Sequence, residues 1–146
     1  MTPEEKQLLL LKVLSELLPY GIKVLDNSHK NYGASNLINI GVDGSILIDN
    51  EINDIQYYPI ISEIKPYLRP MSSMTKEEKM EYFSFIGGER PFDCDFSAYP
   101  IEYKFVYEQN VNSYIDWLNK HHFDYRGLIE KGLAIKVTEE NNPYES

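Results

Sequence analysis

At 146 residues and 17.0 kDa, the chain has the length of one domain, enough to bury about two thirds of its unfolded surface. Its formal charge of -9, from 23 acidic against 14 basic residues, argues against a general nucleic-acid binder, because neutralising phosphates takes a basic surface. A 42% hydrophobic and 25% charged composition excludes wholesale disorder, and the single cysteine, Cys94, excludes an intrachain disulfide.

In chain order, Thr2-Pro3-Glu4-Glu5 carries agreeing helix-start signals: Thr2 as N-cap, Pro3 at the first helical position and Glu5 closing a capping box. Leu10, Leu11, Leu14, Leu17 and Leu18 recur at the spacing of a buried helical face, which Leu8, Leu9 and Val13 broaden, and Pro19 stops the helix. A stripe this wide covers a sheet or joins a dimer. Residues 22–25 predict a first strand, and 26–36 a polar loop that holds His29. Strands follow at 37–40 and 45–48 around the turn 41–44. A fourth or edge strand is expected at 55–61, where Pro59 has no N–H for a central ladder.

Residues 64–70 are expected to be extended, because Lys65 and Arg69 each precede a proline. Thr75 and Glu78 form a second capping box, opening a middle helix with Met80, Phe83 and Ile86 inward and Gly87-Gly88 as its stop. Strands are read at 91–96 and 101–107, the second with Ile101, Tyr103, Phe105 and Tyr107 on one face. Asn110 or Asn112 caps a helix through about His122, with Val111, Tyr114, Ile115 and Leu118 inward. Asp124 then caps a helical turn through Lys131, closed by Gly132, and 133–137 is a last strand.

The pattern predicts an α+β fold: a small antiparallel sheet of about four to six strands, with an N-terminal amphipathic helix, a middle helix and C-terminal helices. Residues 1–137 form the expected single domain, and the acidic segment 138–146 the expected flexible tail. No apolar run reaches membrane-spanning length and the N-terminus lacks the marks of a signal peptide, so a cytoplasmic location is expected.

Chemistry is less sharply marked. His121 and His122 are consecutive and point about 100° apart on a helix, which is not the i, i+4 face of a helical zinc site. Asp93 and Asp95 flank Cys94 and disfavour its thiolate, so an inert cysteine is expected. Gly87-Gly88 lacks the pattern of a phosphate loop.

The strongest binding signature pairs scarce cations with aromatics in three segments: Lys65-Pro-Tyr67-Leu-Arg69, Glu89-Arg90-Pro-Phe92, and His121-His122-Phe-Asp-Tyr125-Arg126. Arg offers a planar fork for phosphate, and aromatic rings stack on bases. If these segments converge, Lys65, Tyr67, Arg69, Arg90, His121, His122, Tyr125 and Arg126 make a pocket for an anionic or nucleotide-derived ligand. Alternatively, Arg69 and Arg126 neutralise neighbouring carboxylates and the tyrosines are core or interface. No catalytic residue, metal or cofactor is assigned.

Three blocks carry a resemblance: Met1-Thr-Pro-Glu-Glu-Lys-Gln-Leu-Leu-Leu10 with Leu18-Pro-Tyr-Gly21, then residues 64–75, then 115–134. Together, covering somewhat under half the chain, they resemble small acidic proteins carried by phages and mobile elements of gut anaerobes. Leu17 stands where those proteins carry Arg, and 138–146 differ from their ending, so no ligand role is carried to either place.

The resemblance implies a phage-type accessory protein with a counter-defence role and no enzymatic activity. One expectation is a sponge, in homo-oligomeric form, that sequesters a nucleotide-derived small molecule. The other is an acidic inhibitor or DNA mimic that occludes a protein partner. A metal-dependent or acid/base hydrolase is the weaker alternative. Direct nucleic-acid binding and membrane association are not expected.

Overall fold

The computed structural model describes residues 1–85 and 111–145. Gly87-Gly88, the strands read at 91–96 and 101–107, and Ile86, Arg90 and Cys94 lie outside the described residues.

Helix α1, Pro3–Leu17, starts where its cap chemistry places it. The Thr2 hydroxyl accepts from the Glu5 N–H at 3.1 Å, and the Glu5 carboxylate accepts from the Thr2 N–H at 3.3 Å, an arrangement that contributes about 1 kcal/mol. The helix presents Leu10, Val13, Leu14 and Leu17 inward. Leu9, Leu11 and Leu18 pack at the margin of the core, while Leu8 stays exposed. Gly21 then turns the chain at φ 74°, in the left-handed region that lacks a Cβ penalty only for glycine.

The strands are β1 Lys23–Asp26, β2 Ala34–Ile40, β3 Ile46–Asn50, β4 Ile55–Tyr57, β5 Ile64–Leu68 and β6 Ile135–Lys136, in spatial order β4-β3-β2-β1-β5-β6. Pairing is antiparallel from β4 through β5 and parallel between β5 and β6. The expected α+β fold with a mainly antiparallel sheet is therefore present, and β4 ends at Tyr57, before Pro59.

Two details depart from the sequence expectation. Strand β2 begins at Ala34, inside the predicted loop, which is otherwise wound into a 3-10 segment at Asn27–Tyr32. The sheet also gains a parallel pair where only antiparallel pairing is expected. The chain must travel the intervening residues before β6 returns beside β5, and local pattern cannot encode that long-range partner.

Alternation with period two gives the sheet one covered face. Ile22, Val24, Leu37, Ile46, Ile48, Ile64 and Leu68 meet the α1 leucines in one core, joined by Leu128 and Ala134 from the C-terminal segment. The covered face turns polar at one end: Asp26, Ser35 and Asn50 are all buried, and Ser35 stands opposite Val24 in the β1–β2 register. Asn50 there donates to the Tyr32 carbonyl at 2.8 Å and the Ser35 hydroxyl at 2.9 Å, and its own carbonyl accepts from the Asn53 N–H at 2.9 Å.

Helix α2, Lys76–Phe85, opens on the expected box, with the Thr75 hydroxyl accepting from the Glu78 N–H and Glu78 accepting from the Thr75 N–H. Of the residues expected inward, Met80 departs from the expectation. Met80 is 54% exposed, whereas Tyr82, two positions and about 200° further round, is fully buried against Trp117 at 5.6 Å. Helix α3, Val111–Lys120, buries Leu118 as expected, together with Trp117, but stops before His122.

Candidate ligand-binding cleft

The end of α3 builds the site. His122 takes φ 62°, the left-handed conformation usually left to glycine at a helix C-terminus. Its N–H donates to the Asn119 carbonyl at 3.0 Å, and the Phe123 N–H donates to the Leu118 carbonyl at 3.0 Å, which together close a Schellman motif. The Arg69 N–H donates to the His122 carbonyl, and the Asp124 N–H donates to the Arg69 carbonyl, both at 2.8 Å. The helix end is thereby pinned to the chain just beyond β5, and His121 and His122 come to lie beside Arg69.

The Asp124 carboxylate then caps the next turn as expected, accepting from the Leu128 and Ile129 N–H groups at 2.8 and 2.9 Å. Gly132 closes it at φ 73°.

Arg69 and Glu78 form a bidentate pair, Nη1 to Oε2 at 2.8 Å and Nη2 to Oε1 at 2.7 Å. The guanidinium also lies 4.2 Å over the Phe123 ring, a cation–π placement that fixes its plane. Phe123 stacks on Trp117 at 5.7 Å, and Trp117 meets His121 at 4.4 Å, so an aromatic cluster underlies the charged pair. Burial pushes the Glu78 carboxyl up, but the hydrogen bonds from Arg69 and the Thr75 N–H and the charge of Arg69 outweigh it and hold it below the usual carboxylate value.

The opposite wall comes from the C-terminal segment. Tyr144 stacks on His122 at 4.0 Å and 13°. Its hydroxyl accepts from the Lys23 N–H at 3.1 Å and donates to the Tyr67 carbonyl at 2.7 Å. It thus bridges β1 and β5 one step beyond their last direct pair, Val24–Pro66. His122 Nε2 lies 2.9 Å from the Tyr20 carbonyl; since a carbonyl only accepts, this nitrogen carries the proton. An open cleft of about 660 Å³ lies between the two walls, bordered by Arg69, Lys120, His121, His122, Thr138 and Tyr144 and also by Glu78, Glu139 and Glu145. That volume suits a nucleotide-sized molecule.

Of the residues singled out in the sequence, Arg69, His121 and His122 converge here. Lys65 lies in β5 opposite Leu25. Tyr67 is buried with its carbonyl on Tyr144, and burial raises its phenol pKa. Tyr125 and Arg126 face α1, where Glu16 accepts from Arg126 Nη2 at 2.8 Å and from the Tyr125 hydroxyl at 3.3 Å. Both arginines among the described candidates are therefore paired with carboxylates, Arg126 away from the cleft. The sequence reading missed Lys120, Thr138 and Tyr144. Tyr144 had a legible signal, a lone aromatic in a polar terminal segment, but nothing local marks its partners.

Burial lowers the pKa of both His121 and His122, opposed at His121 by Glu78 and Glu81 and at His122 by the bond to Tyr20. The fold thus prefers them neutral. Their contribution to stability is complete above the ordinary imidazole value of 6.5 and is lost as pH falls through and below it. Urea midpoints are expected to fall between pH 7.5 and 5.5; a flat profile would contradict the burial of the pair.

Compared with protein-family models, with curated proteins and with solved structures, the chain matches none. No helix among the described residues is long and apolar enough to cross a membrane, and no group of three or more His, Cys, Asp or Glu among them could hold a metal ion.

Proposed function

We propose that the protein binds and sequesters a small anionic, nucleotide-derived ligand in the cleft between the α3 terminus and the C-terminal segment. The observation that carries this reading is the meeting of Arg69, Lys120, His121 and His122 around a nucleotide-sized opening in a chain of net charge -9. Arg69 and Lys120 supply charge for phosphate, the Thr138 hydroxyl a hydrogen bond, and the Tyr144–His122 stack a flat surface for a base. Arg69 is held on Glu78, so a phosphate competes with that carboxylate, and protonation of the histidines favours the ligand. The resemblance to phage-borne proteins supports a counter-defence role exercised by retention rather than turnover.

Calorimetric titration with linear and cyclic nucleotides tests the reading. Arg69→Ala is expected to weaken binding about tenfold or more. Arg126→Ala, whose guanidinium lies on Glu16, leaves it unchanged. Equal loss in both variants, or no nucleotide bound by the unaltered protein, contradicts it.

A second reading, an acidic protein that occludes a partner, is favoured by the exposed Ile52, Tyr58 and Ile60 flanking edge strand β4. Under that reading, Tyr58→Ser with Ile60→Ser abolishes capture of a protein partner while nucleotide binding stays absent.

A further inference from the structure

At the other end of the β1–β5 ladder from the cleft, four residues form a polar group that ligand retention does not use. Asp26 ends β1 and is 3% exposed. Its Oδ1 accepts from the Ser28 N–H at 2.9 Å. Its Oδ2 accepts from the Tyr57 hydroxyl at 2.7 Å and lies 3.1 Å from His29 Nδ1.

Burial pushes the Asp26 carboxyl up, but the bonds from Tyr57, His29 and Ser28 outweigh it and hold it below the ordinary carboxylate value, so it is ionised. An ionised carboxylate only accepts hydrogen bonds. Nδ1 must therefore carry the proton, and in the neutral ring Nε2 carries the lone pair. The imidazole stacks on Tyr32 at 4.9 Å and 18° and meets the Tyr57 ring edge at 5.5 Å, which fixes its plane. Its side chain is still 47% exposed.

His29 also breaks the 3-10 segment, with φ -137° and ψ 54°. Asn50, buried alongside and also donating to the Ser35 hydroxyl, donates to the Tyr32 carbonyl and so braces the residue on whose ring His29 stacks. A buried carboxylate that fixes one imidazole nitrogen and leaves the other accessible is the arrangement by which a histidine serves as a general base.

We infer that His29 is the general base of a second site, oriented by Asp26 and Tyr57, that hydrolyses small activated carboxylic esters. A water at Nε2 gives its proton to the ring as its oxygen attacks the acyl carbon. The acyl C–O bond to the alcohol then breaks, the leaving oxygen takes the proton back from Nε2, and acid and alcohol are the products. Asp26 is a positioning residue: it holds the tautomer and stabilises the imidazolium, and an amide in its place favours the wrong tautomer.

The test is hydrolysis of p-nitrophenyl acetate by the full chain, with circular dichroism as the folding control. The expected results are a rate above that of equimolar free imidazole and a loss of about 100-fold over that background in His29→Gln. Leu8→Ala, at an exposed position of α1, is expected to leave the rate unchanged. Asp26→Asn is expected to lower kcat about tenfold or more with KM unchanged, which a merely structural role would not produce. Should Asp26→Asn fail to fold, His29→Gln decides, since it alters a half-exposed side chain. A wild-type rate no greater than that of free imidazole, or an unchanged rate in His29→Gln, overturns the assignment. Nucleotide binding in the cleft is unaffected by His29→Gln, so failure of either site is visible separately.

Discussion

Leu14→Ala is expected to lower the unfolding free energy by about 3–5 kcal/mol, the range for a leucine truncated inside a core that cannot collapse around the gap. Leu14 is fully buried and meets the strand residues of the covered sheet face in the same cluster as Leu10, Val13 and Leu17. For a chain of this length about 3 kcal/mol lowers the melting temperature by roughly 10 °C. Such a loss is a large part of the roughly 5–15 kcal/mol that holds a domain folded. Leu8→Ala, on the same helix but with its side chain 67% exposed, is expected to change stability by less than about 0.5 kcal/mol. Urea unfolding of the two variants measures the contrast. Equal effects would show that α1 is not oriented as described.

The second large effect belongs to Tyr144. Its alanine variant loses the ring stacked on His122 together with the hydroxyl that links β1 and β5, and is expected to cost about 3 kcal/mol. Tyr144→Phe keeps the stack but leaves the Lys23 N–H and the Tyr67 carbonyl without their bridge, which costs about 1–2 kcal/mol. The ordering follows from the geometry: the ring forms a wall of the cleft, and the hydroxyl ties that wall to the sheet. Ligand affinity is expected to fall in the alanine variant and to survive in the phenylalanine variant. If both variants unfold with the wild-type midpoint, the segment 138–145 contributes nothing to the fold.

Features determined by near neighbours were legible in the sequence. The capping boxes Thr2–Glu5 and Thr75–Glu78 span three residues each and formed as read. The turn closed by Gly132 and the extended run through Pro66 did too. What resisted reading depends on partners distant in the chain. Glu78 was visible as a cap but not as the partner of Arg69, and Tyr144 reaches Lys23 across 121 residues.

Met80 fits an inward helical pattern at α2 but is exposed, whereas Tyr82 is buried against Trp117 of α3, a partner that no local spacing announces. The pattern of α3 runs on through His122, but the chain turns left-handed there. A histidine tolerates that conformation here because Tyr144 and the Tyr20 carbonyl hold its ring. Asp26 and His29 stand three residues apart, a spacing open to reading. Their loop location hid it, since the pairing depends on Tyr57 arriving from β4 to complete the carboxylate's partners.

Native mass spectrometry of the purified protein, after incubation with a small-molecule extract of phage-infected cells, tests the sequestering role most directly. A retained anionic ligand of nucleotide mass is expected, released unchanged on heat denaturation and absent from Arg69→Ala. A protein that carries no ligand, or Arg69→Ala that retains the same ligand as fully as wild type, would contradict it.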